Sequence, residues 1–284
     1  MTSKGEGGRG KEKGRGKGKG DLPRARKRFG QHFLEPAWVA RLINAVSPSA
    51  DETFLEIGPG RGALTVPLAE RAGRIIAVEI DRDLAAALPS RLPAHVRVMQ
   101  GDFLDVDLAA IIRNERTPIR VVANLPYNVA SPILFRLLHE AQDGRVLSDA
   151  TLMLQREVAL RLLAKPGSAD YGALAIQVGL LADVELILNL PPGAFRPPPK
   201  VHSSVVRLRF RPPQFEVGDR KTFEQLVRGL FLQRRKTVLN ALKPVADSLR
   251  CSAPEVLARA GVDGGRRPET LSIEEMARLS RAVL

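Results

Sequence analysis

Residues 53–62, TFLEIGPGRG, set an apolar run of strand length against a turn with glycine at every second position. Glycine lets a backbone approach a ligand closely and adopt dihedrals denied to other residues. The spacing Gly58-x-Gly60-x-Gly62 is not the Gly-x-Gly-x-x-Gly of dinucleotide-binding turns. Outward from this turn, strand-length runs alternate with helical spacing. The strand candidates are Thr53–Ile57, Arg74–Glu79, Val96–Met99, Ile119–Ala123 and Thr151–Leu154. Ala63–Arg71, Arg82–Arg91 and Pro132–Glu140 lie between them and carry helical spacing. This alternation predicts an α/β fold, a parallel sheet with helices on both faces. Two further strand-like runs, Val184–Leu190 and Ser204–Phe210, flank the Pro-rich stretch Pro191–Pro199. A short return through prolines suits an antiparallel pair at the sheet edge.

Composition changes again near Arg211-Pro212-Pro213. Beyond it Phe223, Leu226, Val227, Leu230 and Phe231 recur with the spacing of an amphipathic helix. Thr222 suits the N-cap of that helix, with Gln225 completing a capping box. Arg234-Arg235-Lys236 is expected on the same helix. No good strand candidate follows residue 213. The expected division is a basic tail over 1–22, an α/β domain over 23–211 and a small helical domain over 212–284.

The net charge of +13 is unevenly placed. Residues 1–30 hold eleven Lys/Arg against three Asp/Glu, a net +8, which leaves +5 for the other 254 residues. Residues 4–20 are nearly all Gly, Lys and Arg, so they cannot offset their ordering entropy by burial and are expected to be disordered. A basic tail suits nucleic acid through phosphate contacts, or serves solubility alone. It has no apolar segment of the kind a secretory signal needs, and no apolar run is long enough to span a membrane. The single Cys251 excludes a disulfide framework and a cysteine-cluster metal site. His32, His95, His139 and His202 are scattered without ligand spacing, so no metal is expected. A cytoplasmic protein is the simplest expectation.

The strand ends carry the chemistry. Glu79 ends the second strand candidate, where a carboxylate can accept hydrogen bonds from both hydroxyls of a ribose. Asp81 competes for that role and equally suits a helix cap. Asp102, after the third strand, can accept an adenine amino N–H, with Phe103 against the ring, or can simply close an Asx turn. Asn124-Leu125-Pro126-Tyr127 follows the fourth strand. An amide oxygen and a backbone carbonyl there could each accept one N–H of an exocyclic amine and aim its lone pair at a methyl donor. Pro126 stiffens the turn, and Tyr127 offers a flat face for a base. The same four residues also suit an ordinary strand-to-helix turn. The glycine turn resembles the Glu/Asp-x-Gly-x-Gly-x-Gly of methyltransferases that bind S-adenosylmethionine. Seven strands ending in an antiparallel pair resemble the Rossmann-like class I methyltransferase plan.

Five strings together resemble the bacterial small-subunit ribosomal RNA adenine dimethyltransferases. They are Gly30–Leu34 (GQHFL), Glu56–Thr65 (EIGPGRGALT), Asn124–Phe135 (NLPYNVASPILF), Phe195–Val205 (FRPPPKVHSSV) and Phe231–Asn240 (FLQRRKTVLN). Tyr171-Gly172 and Arg267-Pro268-Glu269-x-Leu271-Ser272 also fit. The resemblance runs from about residue 26 to the C-terminus and omits the basic tail. It implies transfer of two methyl groups from S-adenosylmethionine to N6 of each of two adjacent adenosines in a hairpin loop near the 3′ end of small-subunit rRNA.

It also implies roles. His32 and Leu34 would line the methionine end of the donor, and Gly58 and Gly60 its floor. Glu79 would hold the ribose, Asp102 the adenine, and Asn124 both donor and target amine. Tyr127 and Phe195 would stack on the flipped base. His32 replaces the commoner Asn of its motif, so a packing role stays open for it. Arg234, Arg235 and Lys236, with Arg196 and Lys200 near Phe195, are the expected phosphate contacts. The expected partners are small-subunit rRNA and the pre-30S particle, met by a monomer with no membrane contact. The rivals are a large-subunit rRNA dimethyltransferase of the antibiotic-resistance type, whose motif tends to read Asn-Ile-Pro-Tyr, and an assembly factor that acts mainly by binding.

Overall fold

The computed structural model describes residues 33–283 except 116–117 and 143–145. The basic tail and His32 lie outside the described residues, so the expectations placed on them do too. In chain order come β1 (Phe33–Leu34), α1 (Pro36–Val46), β2 (Thr53–Ile57), α2 (Thr65–Ala69), β3 (Arg74–Glu79), α3 (Arg82–Ala87) and β4 (Val96–Gln100). Next are α4 (Leu108–Ile112), β5 (Ile119–Asn124), α5 (Ala130–Glu140), β6 (Leu147–Gln155), α6 (Arg156–Leu163) and α7 (Ala173–Leu181). The chain then forms β7 (Ala182–Leu190), β8 (Phe195–Arg196), β9 (Ser203–Phe210), α8 (Arg220–Leu232), α9 (Val238–Ser248), α10 (Ala253–Ala260) and α11 (Ile273–Ala282).

Seven strands form one sheet in the order β4-β3-β2-β5-β6-β9-β7. The first five of that order pair in parallel, and β9 runs antiparallel to both β6 and β7. The fold class is therefore the expected one, a mostly parallel sheet with helices on both faces. The edge pair also forms as the prolines suggested. Strand order reverses between β2 and β5, and in open α/β sheets the crevice outside the strand C-termini at such a reversal is where ligands bind.

Period-two alternation divides the core between the two faces. Leu55, Ile57, Ile76, Val78, Val121 and Ala123 pack with α4, α5 and the later helices. Phe54, Ile75 and Val122 pack with α1 and α2 on the other face. Every residue of β2 is buried, as both-sided helix cover requires, and this includes Glu56.

Several boundaries differ from expectation. β6 starts four residues early because the charge of Asp149 is met on the neighbouring strand. Arg120 stands opposite it in register, with Nε donating to Asp149 at 3.0 Å and Nη1 to Glu52 at 3.0 Å. The segment 82–91 is not one helix: Pro89 turns its second half into a short 3₁₀ turn, Leu88–Arg91. Thr222 is not the N-cap of α8. Asp219 is, and its carboxylate accepts both the backbone N–H and the hydroxyl of Thr222 at 2.8 Å, while Gln225 donates to Ser248 instead. Arg234, Arg235 and Lys236 do not lie on α8, which ends at Leu232. The apolar stripe of α8 stops there, because a charged Arg234 falls where the next apolar residue would be. A new stripe begins with Val238, so the three cations occupy the turn between α8 and α9.

Among the described residues no strand follows Phe210, and α8 to α11 share one continuous core with α7. The Tyr171 ring meets Phe231 edge-on at 6.2 Å, and its hydroxyl donates to the Leu271 carbonyl at 3.0 Å. Among the described residues no helix is long and apolar enough to cross a membrane.

Candidate active site

The loop after β2 is built around left-handed backbone. Gly58 and Gly60 take φ of 71° and 58°, a region other residues rarely enter. A Cβ on Gly60 would sit 3.4 Å from the Phe33 ring, whereas one on Gly58 would meet no atom within 4 Å. The Gly58 position therefore borders open space, and Gly60 is packed from above by β1.

Glu79 ends β3 beside this loop. One carboxylate oxygen accepts the Gly60 N–H at 2.8 Å and the other accepts the Asp81 N–H at 2.8 Å. Burial pushes its carboxyl above the usual range despite these bonds. Asp81 instead caps α3, accepting the Asp83 N–H at 2.9 Å. The two acids thus divide the alternatives: Asp81 starts a helix, and Glu79 faces the cleft.

Glu56, one strand over, is 2% exposed, and its Oε2 has no hydrogen-bond partner. Desolvation by burial, helped by the nearby Glu79, raises its carboxyl to about 8. An orphaned carboxyl oxygen this deep is costly, so it marks a place where a hydrogen-bonding ligand group is wanted.

Asn124 is the last residue of β5, opposite Met153 of β6. The turn that follows is closed by the Val129 N–H donating to the Pro126 carbonyl at 3.1 Å. Tyr127 is half-buried, with its hydroxyl 2.8 Å from the Ser203 Oγ. Phe195 reaches the same place from β8. It is the register partner of Leu34, so a two-stranded ribbon, β1 with β8, joins the N-terminal segment to the far wall.

One cleft collects these groups. Its lining includes Leu34, Gly58, Gly60, Glu79, Asn124, Pro126, Tyr127 and Phe195, with about 820 Å³ of space counting its open mouth. It lies at the reversal of strand order, between the loops after β2 and β5. Asp102 and Phe103 are not in its lining. Asp102 closes an Asx turn onto the Leu104 N–H at 2.9 Å, and Phe103 is buried in the core beneath the Arg136 guanidinium, 5.4 Å from the ring centre. Phe33, Glu56, Leu64 and Ile80 also line the cleft and were not singled out as site residues from sequence. Glu56 had a signal, since it is the acid that opens the glycine motif. Phe33 had one as the neighbour of Leu34.

The profile of the ribosomal RNA adenine dimethylase family matches residues 23–282, almost the whole described chain and more. The chain belongs to this family. Among curated relatives, the "Ribosomal RNA small subunit methyltransferase A" of Nitrosococcus oceani is 45% identical over 262 residues, covering 91% of this chain and 96% of the relative. A dimethyladenosine transferase from Plasmodium falciparum superposes with a TM-score of 0.75 at 25% identity, over 87% of this chain and 96% of that one. The 23S rRNA methyltransferase ErmE superposes with a TM-score of 0.64 at 28% identity, over 88% of this chain and 99% of the other. The chain is an rRNA adenine dimethyltransferase with the class I fold, and the methyl donor of this dimethylase family is S-adenosylmethionine.

Proposed function

We propose that this dimethylase methylates N6 of two adjacent adenosines in a hairpin loop near the 3′ end of small-subunit rRNA, twice each, in the course of ribosome assembly. The observation that carries the reading is the single cleft in which the glycine loop and Glu79 meet Asn124–Tyr127 and Phe195. Small-subunit relatives at 45% identity, against 28% for the large-subunit enzyme, favour the small subunit.

The residues present fit the donor. Gly58 borders open space, Glu79 offers a buried carboxylate at the strand end where a ribose would lie, and Glu56 has an oxygen lacking a partner. Leu34 and Phe33 would cover the donor's aliphatic part. Asp102 would take the adenine only if its Asx turn opens or the ring reaches past the cleft lining. When bound, the donor supplies an electrophilic sulfonium methyl.

The rest falls to the chain. The target base must leave its stack to enter, and loop RNA, already partly splayed, makes that less costly. Tyr127 and Phe195 would hold the base between flat faces. The Asn124 amide oxygen and the Pro126 or Leu125 carbonyl would accept the N6 hydrogens and aim the lone pair along the transfer line. No strong base is required, because methyl departure from a sulfonium is downhill and the amine proton can leave afterwards. Catalysis is then positioning plus a fixed dipole.

Substitution of Glu79 by glutamine keeps the volume but weakens the hold on the ribose and on Gly60. The donor Kd should rise about tenfold or more, the scale of a lost charge-assisted hydrogen bond. Calorimetric titration with the donor checks this, and an unchanged Kd would move the ribose elsewhere.

For RNA, Arg235 and Lys236 are exposed on the α8–α9 turn. Arg234 also pairs with Glu269 at 3.4 Å and donates to the Ala169 carbonyl at 3.1 Å, so it braces the turn as well. Lys200 is exposed, and Arg196 pairs with Glu35 at 2.8 Å across the ribbon. RNA affinity should fall steeply with salt. Removing Arg235 and Lys236 should lower the slope of log K against log salt by about 0.7–0.9 per lost phosphate contact. A slope identical to wild type would place the phosphates elsewhere. We further propose that the helical segment beyond residue 211 grips the RNA as a small domain, and that the enzyme works as a cytoplasmic monomer on pre-30S particles without a metal.

The test is methylation by the purified chain of naked small-subunit rRNA, of small-subunit particles and of large-subunit rRNA. Dimethyladenosine in a small-subunit substrate is the expected result. Modification confined to large-subunit rRNA would overturn it.

A further inference from the structure

We infer that Ser203 is a positioning residue for the target base: its hydroxyl fixes the plane of the Tyr127 ring on which that base stacks. The inference rests on the reading of Tyr127 as a stacking face.

Ser203 is fully buried at the first residue of β9. Its backbone is held from both sides, paired with Gln155 of β6 and Leu190 of β7. β9 is antiparallel to its neighbours, so its first residue lies at the edge where the parallel strands end. Tyr127 follows β5 at that same edge, with β6 lying between. The contact of 2.8 Å between Tyr127 Oη and Ser203 Oγ therefore bridges the C-terminal end of β6 and joins residues 76 positions apart in sequence.

The consequence is geometric. The Pro126 turn fixes the Cβ end of the Tyr127 side chain, and Ser203 fixes its hydroxyl end. A planar ring anchored at both ends of its long axis can flip by half a turn, which changes nothing, but cannot swing sideways. A buried hydroxyl also needs a partner, and in this pair each hydroxyl supplies the other's. Misplacing a stacked base by a fraction of an ångström moves its amine off the transfer line, and such misplacement is expensive in rate. Phe195, the proposed opposite face, arrives on the chain segment that leads into Ser203, so both faces are set by one stretch, Phe195 to Ser203.

The experiment is a double-mutant cycle in the full chain. Ser203→Ala and Tyr127→Phe should each lower kcat about 5- to 10-fold, the scale of one hydrogen bond. The donor Kd should not move. The double variant should be no slower than either single one, because both remove the same contact. Ser203→Thr, which restores a hydroxyl, should recover most of kcat. Additive losses, a wild-type kcat in Ser203→Ala, or a loss that Ser203→Thr fails to recover would each overturn the inference. Should Ser203→Ala fail to fold, the pair Tyr127→Phe and Ser203→Thr decides: Tyr127→Phe at wild-type kcat overturns it as well. Tyr127→Ala separates the two levels. If it turns over normally, the stacking reading itself fails. If it is inactive while Ser203→Ala is wild type, only the role of Ser203 fails.

Discussion

Asn124→Ala is expected to retain S-adenosylmethionine binding, weakened only by the loss of its own contact with the donor, and to lose most methyl transfer. Asn124 closes β5, where the backbone is still held by β6, and the residue lines the cleft between the glycine loop and Tyr127. Adenine N6 is a poor nucleophile because its lone pair is drawn into the ring. An amide oxygen that accepts one N–H favours the pyramidal amine that forms as the methyl arrives. The closest measured parallel is the loss of a preorganised donor from an oxyanion site, worth about 2–4 kcal/mol in the barrier. That corresponds to a rate loss of roughly 30- to 900-fold. Single-turnover kinetics at saturating donor measures it without interference from product release. An unchanged single-turnover rate would remove Asn124 from the chemistry.

The second large effect is on stability and its pH dependence. The carboxyl of Glu56 is raised from 4.5 to about 8 by burial. The folded protein therefore holds this proton more tightly than the unfolded chain does. Its contribution to stability is fully present below about 4.5 and is lost as pH rises through the folded value near 8. The whole window is worth up to about 5 kcal/mol. Glu56→Gln keeps the shape, cannot ionise, and should flatten the pH profile across that window. At its alkaline end the variant should be more stable than wild type by several kcal/mol, by denaturant unfolding without the donor. Parallel profiles for the two proteins would show that Glu56 is not the buried acid responsible. The raised Glu79 acts in the same direction and is present in both proteins, and only its repulsion of Glu56 is lost with the substitution.

Glu56 shows where sequence reading stops. Its place at the head of the glycine motif was visible, yet its orphaned oxygen depends on β3 and β5 closing over both sides of β2. That burial arises from strand order, which no local pattern records. The strands themselves were legible because parallel strands buried on both faces are apolar throughout. The start of β6 is not legible because Ser148 and Asp149 look like loop, and only pairing with neighbouring strands, Leu147 with Ile119 and Asp149 with Arg120 and Arg209, makes a strand there. The ribbon of β1 with β8 has two residues on each side, too few for any periodicity to register.

The site followed the same division. That Glu79 and Asn124 line the cleft is legible because a strand end fixes where a residue sits. Asp81 and Asp102 were ambiguous for a chemical reason: a short carboxylate suits a cap or Asx turn as well as a ligand. The structure gives both of them such local bonds. The cap of α8 is ambiguous in the sequence because Asp219, Thr222 and Gln225 all carry capping chemistry, and only the packing of the apolar stripe against its neighbours chooses among them. The Ser203 contact joins two of the strings that carry the family resemblance, but no local pattern shows that residues 76 positions apart, with one strand between them, meet.

On this reading the cleft places four methyl groups on two adjacent adenosines of small-subunit rRNA. Mass mapping of rRNA from a strain lacking the gene, re-supplied with wild type or with Asn124→Ala, shows whether it does. The expected result is two neighbouring dimethyladenosines in small-subunit rRNA, absent from the deletion strain, restored by wild type and not by the variant. Dimethyladenosines that persist in the deletion strain, or that return with Asn124→Ala, would contradict it.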